Sequence, residues 1–389
     1  MFPLKVLHVI PSLGPVRGGP SFVIRSLAEG LNAAGVEVQV AATDDNGPGR
    51  LPVELGRPVE ERGVTYWYFP RQTSFYQASA PLSGWLWRQV AKFDLVHIHA
   101  LFSFAPVAAG LICRARGVPY IVRPLGLLNR WGVQNRRPLL KRCSLRLCEQ
   151  PILEASKAVH YTSEQERIEA EELGFHAPAA IVPNPVPPVS AAVRGQFRRR
   201  LGIPESAPLL LFLSRIDAKK GLDLLIPAFR HVRAALPDAV LVIAGSGDEP
   251  LTNRMKALAR AEGLDESAIY WPGFVQGAAK EQAFADADLF VLPSYSENFG
   301  VAPIEAASAG LPLLLSDHVG VHVEVAAAEA GRVVPCDVTA LAREAVELLR
   351  APSLRQSMGE AARALALERY SLEAVSRQMV ALYRKVLSQ

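Results

Sequence analysis

A chain of 389 residues, half of them hydrophobic, is too long for one ordinary domain and long enough for two with substantial cores. Its formal net charge of +4 is too mild to mark a nucleic-acid binder. Four cysteines, at 113, 143, 148 and 336, fit neither a disulfide framework nor a paired zinc-ligand spacing, and point to reduced thiols in a cytoplasmic protein. No apolar stretch reaches the roughly 20 residues that span a bilayer, and the first apolar run reads as a strand rather than a signal peptide.

That run, Val6 to Ile10, leads through a Gly/Pro-rich loop into a helix that Ser21 is placed to cap and Gly35 to end, followed by a strand from Val36 to Ala42. A strand, a loop, a helix and a second strand open a doubly wound sheet. The glycines do not spell a dinucleotide fingerprint; Gly18-Gly19 either lets the backbone approach a ligand or is a plain flexible loop. Tyr66 to Phe69 reads as a strand, and most aromatics between residues 44 and 88 read as core or loop anchors.

In the strand Phe93 to Ala100, His97 and His99 share a face because the side-chain period is two. No further metal-ligand type is evident nearby, so His97 reads as a satisfied core histidine. His99 stands at the strand end, where parallel sheets place functional residues. Between Asp94 and Glu149 there is no acidic residue but nine Arg or Lys. Arg123, Arg130, Arg136, Arg137, Lys141 and Arg142 are therefore candidates for an acceptor site taking an anionic ligand, or for a patch resting on anionic lipid; a solvated basic face is the plain alternative. Pro138 to Cys148 reads as a basic amphipathic helix. Ser163 is placed to cap a later helix, with Glu166 three residues on. Four prolines between Pro183 and Ser190 mark an interdomain linker. The domains are then residues 1–187, joined by a last helix at 370–389, and residues 188–369.

The second domain opens on the apolar strand Leu209 to Leu213. Arg215 and Lys220 follow on a loop suited to neutralising a diphosphate, while Lys219 reads as solvent-facing. Gly245-Ser246-Gly247 after the next strand is a tight turn, and Phe274 taken alone reads as core. The apolar run Leu289 to Leu292 empties into a polar loop, and Gly300 then opens a helix that Gly310 closes. Unpaired N–H groups around Phe299, Gly300 and Val301, together with the helix dipole, suit phosphate oxygens. Glu297 and Glu305, on either side of that turn, suit pairs of sugar hydroxyls.

Glu297 and Glu305, with seven residues between them that include Phe299-Gly300, resemble the signature of the retaining glycosyltransferases of family 4. Arg215 and Lys220-Gly221 match that family's donor-phosphate motif at full spacing. The resemblance implies an α/β protein of the GT-B fold, with two Rossmann-like domains facing across a cleft: an N-terminal acceptor domain and a C-terminal nucleotide-sugar domain. It assigns the donor to Gly18, Gly19, Arg215, Lys220, Gly245, Phe274, Val275, Asn298, Phe299, Gly300, Val301 and Glu305, and the catalytic roles to His99 and Glu297. It also implies a UDP- or GDP-sugar substrate, no cofactor and no metal. The expected reaction is hexosyl transfer with retention to a glycan or lipid-linked acceptor in exopolysaccharide, lipopolysaccharide or other glycan assembly. The expected place is the cytoplasm, peripheral on the inner face of the membrane. Pro185 stands where the family has glycine and stiffens the linker. Two rival readings share the fold: a sugar-nucleotide epimerase, and a non-catalytic carbohydrate-binding protein.

Overall fold

The computed structural model describes residues 3–128, 138–174, 177–189 and 192–389. Backbone contacts divide the chain into two compact units, Met1–Pro185 with Leu372–Gln389, and Val186–Ser371. Each is an α/β unit built on a largely parallel sheet.

The main sheet of the first unit has eight strands in the order Ala179–Ile181, Ala158–Tyr161, Tyr120–Arg123, Leu95–His99, Leu4–Ser12, Val36–Thr43, Val64–Phe69, Pro58–Glu61. Only the edge strand Pro58–Glu61 runs antiparallel to its neighbour. Alternating side chains feed two separate cores. Leu7, Val9, Val96 and Ile98 pack with Leu82, Trp85 and Ala109 on one face. Val6, Ile10, Leu95 and Ile121 pack with Ile24, Leu27, Met379 and Tyr383 on the other. The last helix, Leu372–Leu387, thus completes the first unit's core. Trp87, on the helix Ala80–Gln89, is exposed and anchors nothing in the core.

The second unit carries six parallel strands in the order Ile269–Gly273, Val240–Ala244, Leu209–Leu213, Leu289–Leu292, Leu313–Ser316, Gly331–Val334. Leu289, Phe290, Val291 and Leu292 are all buried, as a strand covered on both faces requires. Burial of each such side chain stabilises the unit by about 2 kcal/mol.

Two local expectations fail. The first helix runs Gly19–Ala33 with Gly18 at its N-cap, and the Ser21 hydroxyl donates instead to the Gly14 carbonyl at 3.0 Å, because Ser21 lies inside the helix and points into the protein. The segment from Pro138 is an α-helix only to Ser144 and continues as a π-turn over Leu145–Glu149. Leu139 and Leu147 there face solvent, so the leucines do not form one buried stripe. Ser163 does cap its helix, accepting from Glu166 N–H at 3.1 Å.

Candidate functional site

In the second unit, three neighbouring strands end in loops at the same edge of the sheet. Leu209–Leu213 runs into Arg215–Lys220, Leu289–Leu292 into Pro293–Gly300, and Leu313–Ser316 into Asp317–Gly320. Parallel strands deliver their C-terminal loops to one place. Gly221 sets the approach of the first two: it has φ of +71°, and a Cβ there would lie 1.9 Å from the Pro293 carbonyl oxygen. Only glycine permits that contact. The contact brings the buried Lys220 onto Glu297, and the two form a salt bridge. The Glu297 backbone is held as well: its N–H donates to the His318 carbonyl at 3.0 Å and its carbonyl accepts from Gly320 N–H at 2.7 Å.

Arg215 is different. Its side chain is 73% exposed, and its nearest carboxylate, on Asp217, lies 4.0 Å away. Gly245 is required by close packing, since a Cβ would come within 1.8 Å of the Ser214 carbonyl oxygen. The Gly245-Ser246-Gly247 turn therefore lies against the Arg215 loop. Together they line a cavity of about 550 Å³ with Asp217, Asp248 and Arg254. Arg254, from the helix Glu249–Ala261, is a cation that the sequence reading did not single out.

The helix Val301–Ser308 starts at Gly300, whose φ is +95°. Phe299 is buried edge-on against Tyr370, while Asn298 is half-buried and Val301 faces solvent. Glu305 pairs with Lys280 at 2.6 Å. Phe274 is not core: it follows the turn at Gly273 (φ +76°), points outward and is 67% exposed, while Val275 beside it is buried. Lys219 is half-buried rather than solvent-facing, and that desolvation lowers its ammonium pKa, with the charge of Lys220 adding to the effect.

In the first unit, Gly18 (φ +73°) and Gly19 have open space where a side chain would stand. His99 is fully buried and belongs to a cluster larger than expected. Strand register sets His8 beside His97 and His99 beside Arg123, and Val122 beside Val159 brings His160 into the next row on the same face. The rings are joined in a line, with separations of 3.0 Å from His99 Nε2 to His8 Nδ1 and 3.2 Å from His160 Nδ1 to His97 Nε2. Tyr383, from the last helix, links His8 Nε2 at 3.2 Å to His97 Nδ1 at 2.8 Å. A third histidine near His97 and His99 therefore exists: His8, His97 and His99 are close enough to hold a metal ion. In this structure their facing nitrogens are engaged with one another and with Tyr383. Desolvation pushes all four imidazoles down, His8 to about 3 and the others well below the usual range, with Arg123 contributing to each.

Arg123 itself is not a surface residue. As the last residue of a central strand it is buried, and its guanidinium donates to Asn184 Oδ1. Lys141 lies 5.8 Å from the Phe102 ring centre and Arg142 is exposed. Arg130, Arg136 and Arg137 lie outside the described residues.

A cavity of about 390 Å³ opens beside this edge of the first sheet, lined in part by Ile10, Arg17, Leu101 and Ser103. Among the described residues seven non-glycine positions have positive φ, and five of them, Tyr76, Gln77, Ala100, Phe102 and Leu125, line this one cavity. Such backbone costs about 1–3 kcal/mol per residue and concentrates at functional sites. Ser103 Oγ, buried at the cavity wall, has no hydrogen-bond partner. Behind the wall, the buried Glu149 carboxylate accepts from Phe102 N–H at 3.1 Å and Ser144 Oγ at 3.2 Å, with the Tyr76 hydroxyl at 3.5 Å. Burial pushes its pKa up to about 7. These features come from several separate stretches of the sequence, with Tyr76-Gln77, Ala100–Ser103, Leu125 and Glu149 brought together by the fold.

Comparison with known proteins matches residues 193–365 to the family model "Glycosyl transferases group 1" and residues 18–185 to "Glycosyl transferase 4-like domain". The chain is 33% identical over 196 residues to alpha-D-kanosaminyltransferase of Streptomyces kanamyceticus, covering 50% of each. It is 26% identical over 388 residues to a D-inositol 3-phosphate glycosyltransferase of Arthrobacter sp., covering 92% of this chain and 88% of that one. The chain spans about half the length of the first curated relatives it matches. The fold is similar to that of Anabaena HepE in complex with UDP, with a TM-score of 0.78, 17% identity, and coverage of 98% of this chain and 100% of that one.

Proposed function

This chain belongs to the GT-B glycosyltransferases of group 1, family 4, and from that premise we propose that it transfers a hexosyl group, with retention, from a nucleoside-diphosphate sugar to an acceptor hydroxyl. The observation that carries this reading is the convergence of Arg215, Lys220, Glu297 and the Gly300 helix start on loops at one edge of one sheet. Arg215 and Lys220, with the amides at Gly300, would stabilise the charge growing on the departing diphosphate. Glu305 would hold the ribose hydroxyls and Glu297 the transferred sugar, with Val275 and the exposed Phe274 at the base. His99 would meet the sugar or acceptor near the reacting carbon. Charge neutralisation by side chains and amides gives this mechanism no obligatory role for a metal.

The strained, Ser103-lined cavity of the first unit would take the acceptor. Its mostly apolar wall with a few polar groups suits a sugar or cyclitol ring, which presents C–H faces and hydroxyls together. The basic stretch between Asp94 and Glu149 favours an acceptor that is anionic or lipid-linked. UDP in the complex with the similarly folded HepE, and the kanosaminyl group and inositol 3-phosphate in the relatives' names, support the same class of donor and acceptor.

The test is thermal stabilisation by UDP, GDP, ADP and dTDP. A ligand that binds only the folded state stabilises it by about 2.7 kcal/mol at 100 times its Kd. One base is expected to raise the melting temperature in wild type and not in Arg215→Ala, whose exposed side chain contributes little to folding. No shift with any of them would leave the non-catalytic reading of the fold.

A further inference from the structure

The line of hydrogen bonds through the buried histidines has a direction. Val182 O can only accept, so His160 Nε2, 2.7 Å away, must carry its proton. A neutral imidazole has one N–H, so His160 Nδ1 accepts, and His97 Nε2 must be the donor to it. His97 Nδ1 is then an acceptor, filled by the Tyr383 hydroxyl. Having donated there, the Tyr383 oxygen accepts from His8 Nε2–H. That leaves His8 Nδ1 to accept from His99 Nε2–H. His99 Nδ1 ends the line as a bare lone pair, and it is the one ring nitrogen in the relay with no partner.

We propose that the Val182 carbonyl, acting through His160, His97, Tyr383 and His8, locks His99 as its Nε2–H tautomer and so keeps Nδ1, which is buried in this structure, unprotonated as the hydrogen-bond acceptor that a substrate hydroxyl would need. His8, His97, His160 and Tyr383 are positioning residues; His99 is the group that meets the ligand, an assignment that rests on the transferase reading above. Burial keeps each ring neutral, and the Arg123 guanidinium, in register beside His99, opposes a second proton anywhere along the line. Reversing the relay would aim two N–H groups, or two lone pairs, at each other, at a cost of about 1–3 kcal/mol for a buried unsatisfied group. A hydroxyl donating to Nδ1 gains electron density on its oxygen. The arrangement therefore selects a ligand that offers O–H, and disfavours one that offers only a carbonyl or phosphate oxygen.

The experiment is 15N NMR of the histidine ring nitrogens in the full chain at pH 7.5, with His99 assigned by loss of its signals in His99→Gln. The expected result is a single His99 species, protonated at Nε2 and unprotonated at Nδ1. In Tyr383→Phe the relay is cut, His8 is free to carry its proton on Nδ1, and His99 is expected to become a tautomer mixture or the Nδ1–H form. A wild-type His99 protonated at Nδ1 overturns the proposal, and so does a Tyr383→Phe protein whose His99 keeps the wild-type tautomer alone. Should that variant not fold, the wild-type spectrum decides. No nucleotide is used, so this result and the nucleoside-diphosphate result stand or fall separately.

Discussion

Lys220 and Glu297 neutralise each other across two loops of the second unit, although the proposed mechanism sends one to a phosphate and the other to a sugar. A buried ammonium without a counter-charge costs several kcal/mol. In this structure Glu297 supplies that counter-charge. On the proposed mechanism, donor binding would be an exchange of partners: the diphosphate would take over Lys220, and the released carboxylate would turn to the sugar.

This exchange separates binding from turnover in Glu297→Gln. The variant keeps a hydrogen-bond acceptor for Lys220 but removes the charge that competes with a diphosphate. Affinity for the bare nucleoside diphosphate is expected to hold or improve, while sugar transfer falls roughly 100-fold. The melting temperature of the second unit should drop by about 2–4 °C. Calorimetric titration showing weaker diphosphate binding in Glu297→Gln would mean that the ion pair helps to bind the anion, and the exchange model would fall.

The parts of the site that could be read from sequence are those a single loop carries. Arg215, Lys220 and Glu297 each follow an apolar strand and stand near a glycine, so chain order alone places them at a strand end, and Glu305 lies in the short helix that Gly300 opens after one of those loops. The histidine relay could not be read that way. Its members lie on three strands and the last helix, with Tyr383 286 residues from His97, and only parallel register and the packing of that helix bring them together. One signal was available: His8 interrupts the apolar run Val6 to Ile10, and a polar side chain in a buried strand needs a partner. Phe274 misled for the opposite reason, since hydrophobicity reports average burial and not the turn that directs one side chain outward.

Acid should unfold the first unit from about pH 6.5 downward. The four histidines take up protons in the unfolded chain near pH 6.5, whereas burial holds their folded pKa values far lower. Stability is therefore fully present above pH 6.5 and is lost as the pH falls, by up to about 1.4 kcal/mol per pH unit for each histidine. Urea denaturation followed by fluorescence reports this unit, because Trp67, Trp85, Trp87 and Trp131 fall within its residues and only Trp271 does not. Equal unfolding midpoints at pH 7 and pH 5 would show that these rings are not buried neutral.

Glu149 acts in the opposite sense and more weakly. Its folded pKa, about 7, lies above the ordinary value of 4.5, so its contribution is fully present below pH 4.5 and is lost as the pH rises through 7. Each tenfold change in acidity corresponds to about 1.4 kcal/mol, so the loss amounts to about 3 kcal/mol. One carboxyl against four imidazoles cannot reverse the acid sensitivity, but it is separable by mutation. Glu149→Gln keeps an oxygen for Phe102 N–H and removes the charge, so it should gain stability over wild type at pH 8 and not at pH 4.5. A variant equally destabilised at both values would show that the ionised carboxylate is needed to hold the Tyr76 hydroxyl and the Phe102 N–H.

The segment Pro138–Glu149 should bring the first unit to anionic membranes. Leu139 is 76% exposed and Leu147 is 75% exposed, and Arg142 and Arg146 stand exposed among them. Among the described residues no helix is long and apolar enough to cross a bilayer, so any attachment through this segment is at the surface. Each basic residue near an anionic surface contributes about 1 kcal/mol, and the contribution is screened by salt. The two leucines add an apolar component that salt does not remove. Sedimentation with phosphatidylglycerol vesicles should therefore show binding that weakens in high salt, is reduced in Arg142→Glu/Arg146→Glu, and is reduced further when Leu139 and Leu147 are also changed to Ser. Arg136 and Arg137, which precede this helix in the chain, extend the comparison. Vesicle binding undiminished by neutralisation of Arg136, Arg137, Lys141 and Arg142 together would remove the basis for charge-driven membrane attachment here and leave the positive charge to the acceptor.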